Sequence, residues 1–496
     1  MVFSTVYLCI IAVLLDSFHA SHAFQTVRTR PQAKVLLHER ATSSEISQNE
    51  TGIAKTLEPD QLNFMMGYLN QNHASTLKKI AQALSPLGTE MAKANARSGG
   101  SFVMESVSIT DMNTQSATMS VLVNRRNKPT PTKELVEFSL NANPIPERAR
   151  RYTSLPPVPD DENRLPIDDI VRRLNRLCWI VSDAKVTGKL IQLATQLGGA
   201  EIGKLPENMY LNQVPHNRYV RQYFYNQTTN AVRDAVVLCS QGKMTNRMQV
   251  VAEFPEMNPE MDSYRIGTLL EMARTICIRL AEENVRVRLC VQGSMGVGIF
   301  TGVPKQLSGV SKLMQMMDWQ SGEGEENEGM TGNFVNFGAV GKEHVTNERR
   351  NEDGEIIQHQ DDVFLLIAPQ SMLGSDSSIF PLLEGMVQEA GDRPVILLNP
   401  DLTDKMSAAG QQNVRGRQGR MDFANSFETV YHFQNLYVSG TSYFPILGTM
   451  TKPHPTSPWV AHQRRDYADG GGEIYLPMIS SETRPEGEAI METFDM

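Results

Sequence analysis

The sequence predicts an α/β protein: a Rossmann-like, mostly parallel sheet with an antiparallel C-terminal hairpin, preceded by a small α+β domain. Three observations predict it. DVFLLIAPQ at 362–370 and PVILLNP at 394–400 are near-continuous apolar runs, as strands covered on both faces require. Between them Ser378 to Ala390 reads as a helix stopped by Gly391, which makes a strand–helix–strand unit with short connections and parallel strands. Ahead of them, Ile266, Leu269, Leu270, Ala273, Ile276, Cys277 and Leu280 repeat with helical period over Asp262 to Glu283, between the strand runs MQVVAEFP (248–255) and RVRLCVQ (286–292).

The chain has 496 residues, enough for two or three domains, and a formal net charge of −9. An acidic balance argues against nonspecific nucleic-acid binding, which needs clustered cations to displace counterions, and no nucleic-acid partner is expected. Cys178, Cys277 and Cys290 lie within apolar helix or strand patterns, and none of the five cysteines has CxxC spacing, so buried thiols are expected and no disulfide framework.

At the N-terminus, VYLCIIAVLL (6–15) is an uncharged apolar run far short of the about 20 residues that span a membrane. It suits a signal-peptide core ending at Ala20-Ser-His-Ala23, although no Lys or Arg precedes it. From Phe24, FQTVRTRPQAKVLLHER (24–40) carries Arg28, Arg30, Lys34 and Arg40 against the single acid Glu39. Signal core, Ala-Phe junction and basic stretch together resemble the bipartite plastid-targeting presequence of diatoms and related algae, in which a Phe just after the signal cleavage site matters for import. That resemblance implies a signal peptide at 1–23, a transit peptide at 24–50, and a mature protein in the stroma or on the thylakoid periphery. Removing residues 1–50 takes away four cations and four acids, so the charge stays at −9. Simple secretion is the competing reading; sequons at Asn49 and Asn226 would permit it. No later segment is long and apolar enough to span a membrane.

A small domain is expected at 58–150. Asp60 to Asn70 and His73 to Ser85 read as helices, the second ended by Pro86 and Gly88. Strand runs follow near 101–109, 117–124 and 134–141. With Asn70, His73 and Ala74 in LNQNHAS, this order resembles the C-terminal domain of haem-utilisation and pyridoxamine-phosphate-oxidase-like proteins, the family of domain of unknown function 2470. The resemblance makes His73 a candidate haem or tetrapyrrole contact, since a neutral imidazole is a good axial ligand. One histidine without a second ligand favours instead a helix-start role.

RYTSLPPVPDDENRLP (151–166) holds Pro156, Pro157 and Pro159 within four residues and reads as an inter-domain linker. A helical connecting segment at 167–227 opens with an amphipathic face of Ile167, Ile170, Val171, Leu174, Leu177 and Cys178. Its tyrosine- and arginine-rich end, 208–229, reads as a packed surface loop rather than a nucleic-acid platform.

The large α/β domain is expected at 228–465, followed by a flexible tail at 466–496. ETVYHFQNLYVSG (428–440) and SYFPILGTM (442–450) lie too close for a helix between them and predict the hairpin. VVAEFPE (250–256), GDRPVILLNPDL (391–402), FETVYHF (427–433) and Pro458-Trp459 resemble the plastid and cyanobacterial family of domain of unknown function 1995. Its best-known plant members are stromal factors needed for photosystem II accumulation, and it has no agreed catalytic residues. The resemblance implies plastid proteins, photosystem II assembly components among them, as partners.

Three local features carry possible chemistry. Asn399, Pro400 and Asp401 close a buried parallel strand, where open α/β sheets bind ligands, though Asn-Pro-Asp also forms turns. Arg415, Arg417 and Arg420 could grip a phosphate or acidic partner, against a solvated helix face as the plain alternative. GSMGVG presents Gly293, Gly296 and Gly298 after a strand, in the order G-x-x-G-x-G rather than the dinucleotide fingerprint, which favours a structural turn. No catalytic constellation and no metal motif is evident. Two classes therefore compete: a non-enzymatic plastid biogenesis factor, and a nucleotide- or tetrapyrrole-binding protein with a regulatory or enzymatic role.

Overall fold

Alternation of apolar and polar residues builds a three-stranded antiparallel sheet behind three helices in the first part of the chain. The computed structural model describes residues 57–494, apart from 99–101, 127, 129, 146–154, 201–204, 208, 213–215, 254, 258–265, 293–316, 318–333, 372–377, 403–415, 438–445 and 467–471. Helices α1 (Pro59–Asn72), α2 (Ala74–Leu84) and α3 (Pro86–Ser98) precede β1 (Phe102–Met112), β2 (Ser116–Arg125) and β3 (Thr132–Ser139). The sequence reading lacks α3 and takes Pro86 and Gly88 as breakers. They are a helix start: Ser85 Oγ accepts from the Gly88 amide at 3.0 Å, and Pro86 needs no amide partner in the first turn. Asn70 pairs its amide with both backbone groups of Ile109, at 2.7 and 3.0 Å, where β1 bulges. That gives the LNQNHAS asparagine a structural task.

Helices α4 (Pro166–Ile180) and α5 (Thr187–Gln196) follow, then α6 (Arg218–Ser240), β4 (Arg247–Glu253), α7 (Ile266–Glu282), β5 (Val287–Val291) and β6 (Val335–Ala339). A short ribbon of β7 (Arg349–Arg350) and β8 (Ile356–Gln358) leads to β9 (Val363–Ile367), α8 (Phe380–Ala390), β10 (Val395–Leu398), α9 (Arg417–Asn425) and β11 (Glu428–Leu436). The chain closes with β12 (Gly448–Lys452), β13 (Trp459–Asp466), β14 (Glu473–Ser481) and α10 (Gly487–Thr493).

The large sheet is mixed, in the order β14-β13-β12-β11-β4-β10-β9-β5-β6. Strands β11, β4, β10, β9, β5 and β6 pair in parallel, whereas β11–β12, β12–β13 and β13–β14 are antiparallel. Every residue of β9 and β10 is buried, as their apolar runs predict. The predicted hairpin thus becomes a three-strand antiparallel extension: β11 pairs with β12, and β13 and β14 continue the sheet. The expected flexible tail is instead ordered as β14 and α10, with Ile479, Ile490 and Phe494 in the core. Pro477 hides this strand from a sequence reading, yet β14 is an edge strand, where proline is tolerated.

Two further boundaries move. The tyrosine- and arginine-rich stretch read as a loop supplies the first half of α6, so the boundary expected at 228 cuts through a helix. The proline-rich segment is fastened rather than free: Val158 is buried and exchanges both backbone hydrogen bonds with Asn141. One core runs from Met104 and Met119 of the small sheet through Leu174 and Leu190 to Ala461 and Ile479. Gly188 lets α5 approach β14; a Cβ there would lie 2.4 Å from the Pro477 carbonyl oxygen. Among the described residues, Cys178, Cys239, Cys277 and Cys290 are free thiols, and burial pushes Cys290 up to about 12. No described helix is long and apolar enough to cross a membrane.

Candidate functional site

Strand β4 ends at the carboxyl edge of the parallel strands, and the next turn, Pro255–Met257, turns Glu256 inward. Glu256 is fully buried and accepts from the His216 backbone amide at 2.7 Å. This bond ties the start of α6 to the end of β4. The His216 ring lies 3.9 Å from the same carboxylate. Burial holds that imidazole below its ordinary pKa, with Glu256 opposing and Arg221 adding to the depression.

A polar belt continues along this edge. Glu473, itself buried, accepts from the Tyr475 hydroxyl at 2.8 Å and lies 3.8 Å from Arg464. Asn212 accepts from the Ile446 amide at 2.7 Å, and Arg464 donates to the Ile446 carbonyl. Glu256 Oε2, Asn212 Nδ2 and Arg464 Nε are buried without a hydrogen-bond partner among the described residues. Buried polar atoms are nearly always paired, so three orphans in one belt mark it as unusual.

A groove of about 430 Å³ opens between the first turns of α6 and α7. Arg218, Arg221, Gln222, Tyr225 and Glu271 line it. Asn217 caps α6 by accepting from Val220 at 3.0 Å, which fixes the first turn that carries both arginines. The Tyr225 hydroxyl donates to the Thr268 carbonyl, and burial holds its pKa above the usual value. Two planar guanidinium groups on a fixed helix start suit a carboxylate or phosphate. The buried Glu256 carboxylate, through the His216 backbone amide, is engaged in holding that helix in place.

The residues expected to form a site are only partly among the described residues. Asn399 is at the carboxyl edge, as expected, but its side chain is spent: Oδ1 accepts from the Ala252 amide at 2.6 Å and Nδ2 donates to the Ala252 carbonyl at 2.9 Å. It also holds a left-handed φ of 48°, a conformation asparagine tolerates better than most residues. Asp401 pairs through its backbone with Pro369 and Ser371. Arg417 is exposed and Arg420 half-buried, both on α9, while Arg415 and Gly293, Gly296 and Gly298 lie outside the described residues. His216 and Glu256 were missed as a pair because 40 residues separate them. The only signal was Glu256 closing the VVAEFPE run.

His73 sits between α1 and α2 at 5% exposure, with its ring 5.4 Å from Tyr68. Its side chain makes no capping bond to α2, contrary to the helix-start reading; its backbone serves both helices. Nε2 has no hydrogen-bond partner among the described residues, and burial lowers the ring's pKa. Among the described residues no group of three His, Cys, Asp or Glu side chains converges as a metal site.

The model of a family described only as a domain of unknown function, DUF1995, matches residues 220–492, a span that begins within α6 and ends within α10. No solved structure matches the chain.

Proposed function

We propose, for a chain that belongs to the DUF1995 family, the role of a plastid biogenesis factor. It works by binding an acidic partner at the carboxyl edge of its sheet, without catalysis, and assists photosystem II assembly or accumulation. The observation that carries this reading is the groove between the first turns of α6 and α7, lined by Arg218 and Arg221. The signal-plus-transit pattern of residues 1–50 supports the plastid, and the resemblance of the C-terminal half to photosystem II accumulation factors supports the process. A nucleotide is the second reading, favoured by the same two guanidinium groups beside a helix start, where phosphates also bind.

Affinity capture from isolated plastids separates them. Arg218→Glu with Arg221→Glu should cut partner recovery by about tenfold or more, roughly 1.4 kcal/mol of binding. Surface charge changes of this kind alter stability by only about 0.5 kcal/mol, so the melting temperature should barely move. Undiminished capture by the double variant would remove the groove from this role. A rise in melting temperature with added ATP or NADPH, lost in the double variant, would favour the nucleotide. For the location, a fusion of residues 1–60 to a fluorescent protein should enter the plastid of a diatom, and Phe24→Ala should leave it in the outer envelope compartments. Secretion of the unmutated fusion would refute the plastid assignment.

A further inference from the structure

The small sheet has two edges, and the fold treats them differently. Along β1 the edge is closed by side chains. Asn95 pairs its amide with both backbone groups of Phe102, at 2.8 and 2.9 Å, as Asn70 does at Ile109. Register irregularities after Met104 and Ile109 bend the same strand. Along β3 neither device occurs. Its sequence TKELVEFS contains no proline, and its pairing with β2 runs without a bulge. Among the described residues its backbone makes no hydrogen bond beyond that ladder. Such an edge is a template for one more strand.

The side chains of β3 say which strand suits it. Val136 and Phe138 enter the core, whereas Lys133, Leu135 and Glu137 lie on the opposite face and are exposed. Leu135 is 69% exposed, more than any other large apolar side chain among the described residues. It sits midway between a cation and an anion, each two residues away on the same face. That pattern is complementary to itself read backwards.

Residues directly opposite one another in an antiparallel pair share a face of the sheet. A second β3 related to the first by a two-fold axis through Leu135 therefore brings the two leucines together. It also sets each Lys133 against Glu137 of the partner subunit. A centre half a residue away would join the exposed face to the buried one. A centre on Glu134 would oppose that carboxylate to itself, and one on Val136 would leave Lys133 against Ser139. We infer that β3 is the edge through which two copies of this chain associate, joining their three-stranded sheets into one continuous antiparallel sheet. Such an interface is isologous, and it closes at the dimer because each copy uses the same edge. It involves neither Arg218 nor Arg221, so its test is separate from that of the groove.

Sedimentation velocity of the chain from residue 51 onward tests this. One strand pair buries little surface, so the dimer should form with a Kd of about 1–100 µM. Lys133→Glu turns both cross-strand charge pairs repulsive, and so does Glu137→Lys; each variant alone should weaken association about tenfold. Both positions are exposed, so folding is not at stake. Mixed in equal amounts, the two variants regain opposite charges at both pairs and should form a heterodimer about as tight as the wild-type dimer. Leu135→Lys, which sets two like charges face to face on the axis, should leave the chain monomeric at about 100 µM. A wild-type chain that is monomeric at about 100 µM overturns the proposal, whether solvent or a strand of another protein then covers the edge. A dimer that survives all three substitutions, or charge variants that mixing does not rescue, overturns it as well.

Discussion

Lowering the pH from about 6.5 towards 3 should cost this protein up to roughly 4–5 kcal/mol of stability through one side chain, His432. The imidazole lies on β11, 4% exposed, with its ring 4.8 Å from Trp459. Burial, with the Arg484 guanidinium nearby, pushes its pKa down to about 3, and Gln434 opposes the shift. The sign follows directly. Below pH 6.5 the unfolded chain takes up a proton that the folded chain refuses until about 3, so stability falls as pH drops through that window and is unaffected above it. His73 and His216 are also depressed and act in the same direction. The discriminating measurement is urea unfolding at pH 7 and pH 4 of the wild type and His432→Phe, which keeps a flat ring against Trp459 but cannot titrate. The variant should lose markedly less stability on acidification; equal losses would show that His432 is not held neutral.

Where the sequence was legible, one physical signal dominated. The runs at 363–367 and 395–398 are apolar at every position because both faces of the sheet are covered there. The amphipathic face of α4 was readable for the same reason, since Ile167, Ile170, Leu174 and Leu177 all enter the core. Legibility failed where two signals conflicted. Pro477 breaks an otherwise alternating strand, and Ser85-Pro86-Leu-Gly88 reads as a stop although it is also a cap and a first turn. The Tyr- and Arg-rich start of α6 is helical because Val220, Phe224 and Ala231 face the sheet, while its polar side faces out. The site was harder still. Asn399 was located correctly at a strand's carboxyl end, but only the fold shows that its amide clamps Ala252. The pairing of His216 with Glu256 depends on the end of β4 meeting the start of α6, a contact no local pattern encodes.

Arg176→Met should destabilise the protein by about 3–5 kcal/mol, although it replaces a long side chain by one of similar reach in an apolar core. Arg176 is 1% exposed and spends its guanidinium on three backbone carbonyls: Pro156 at 2.6 Å, Ala142 at 2.9 Å and Leu155 at 3.1 Å. Those acceptors belong to the proline-rich segment and the chain just after β3. With Arg173, which reaches Gln115 and Asp160 at 2.6 Å each, the residue fastens this segment to α4. Burial lowers the Arg176 pKa and Glu482 counteracts, so the charge is costly to hold. Methionine would leave the carbonyls buried and unpaired, and the segment would gain by peeling into water. The loss should therefore be local as well as global. Limited proteolysis of Arg176→Met should nick between about 151 and 166 at protease levels that leave the wild type intact. Arg176→Lys, with three donors on a single nitrogen, should fall between the two, because it cannot span three carbonyls in a plane. A methionine variant within about 1 kcal/mol of the wild type, equally resistant to protease, would mean that the segment is held by its own apolar contacts, Leu155 and Val158, and not by the guanidinium.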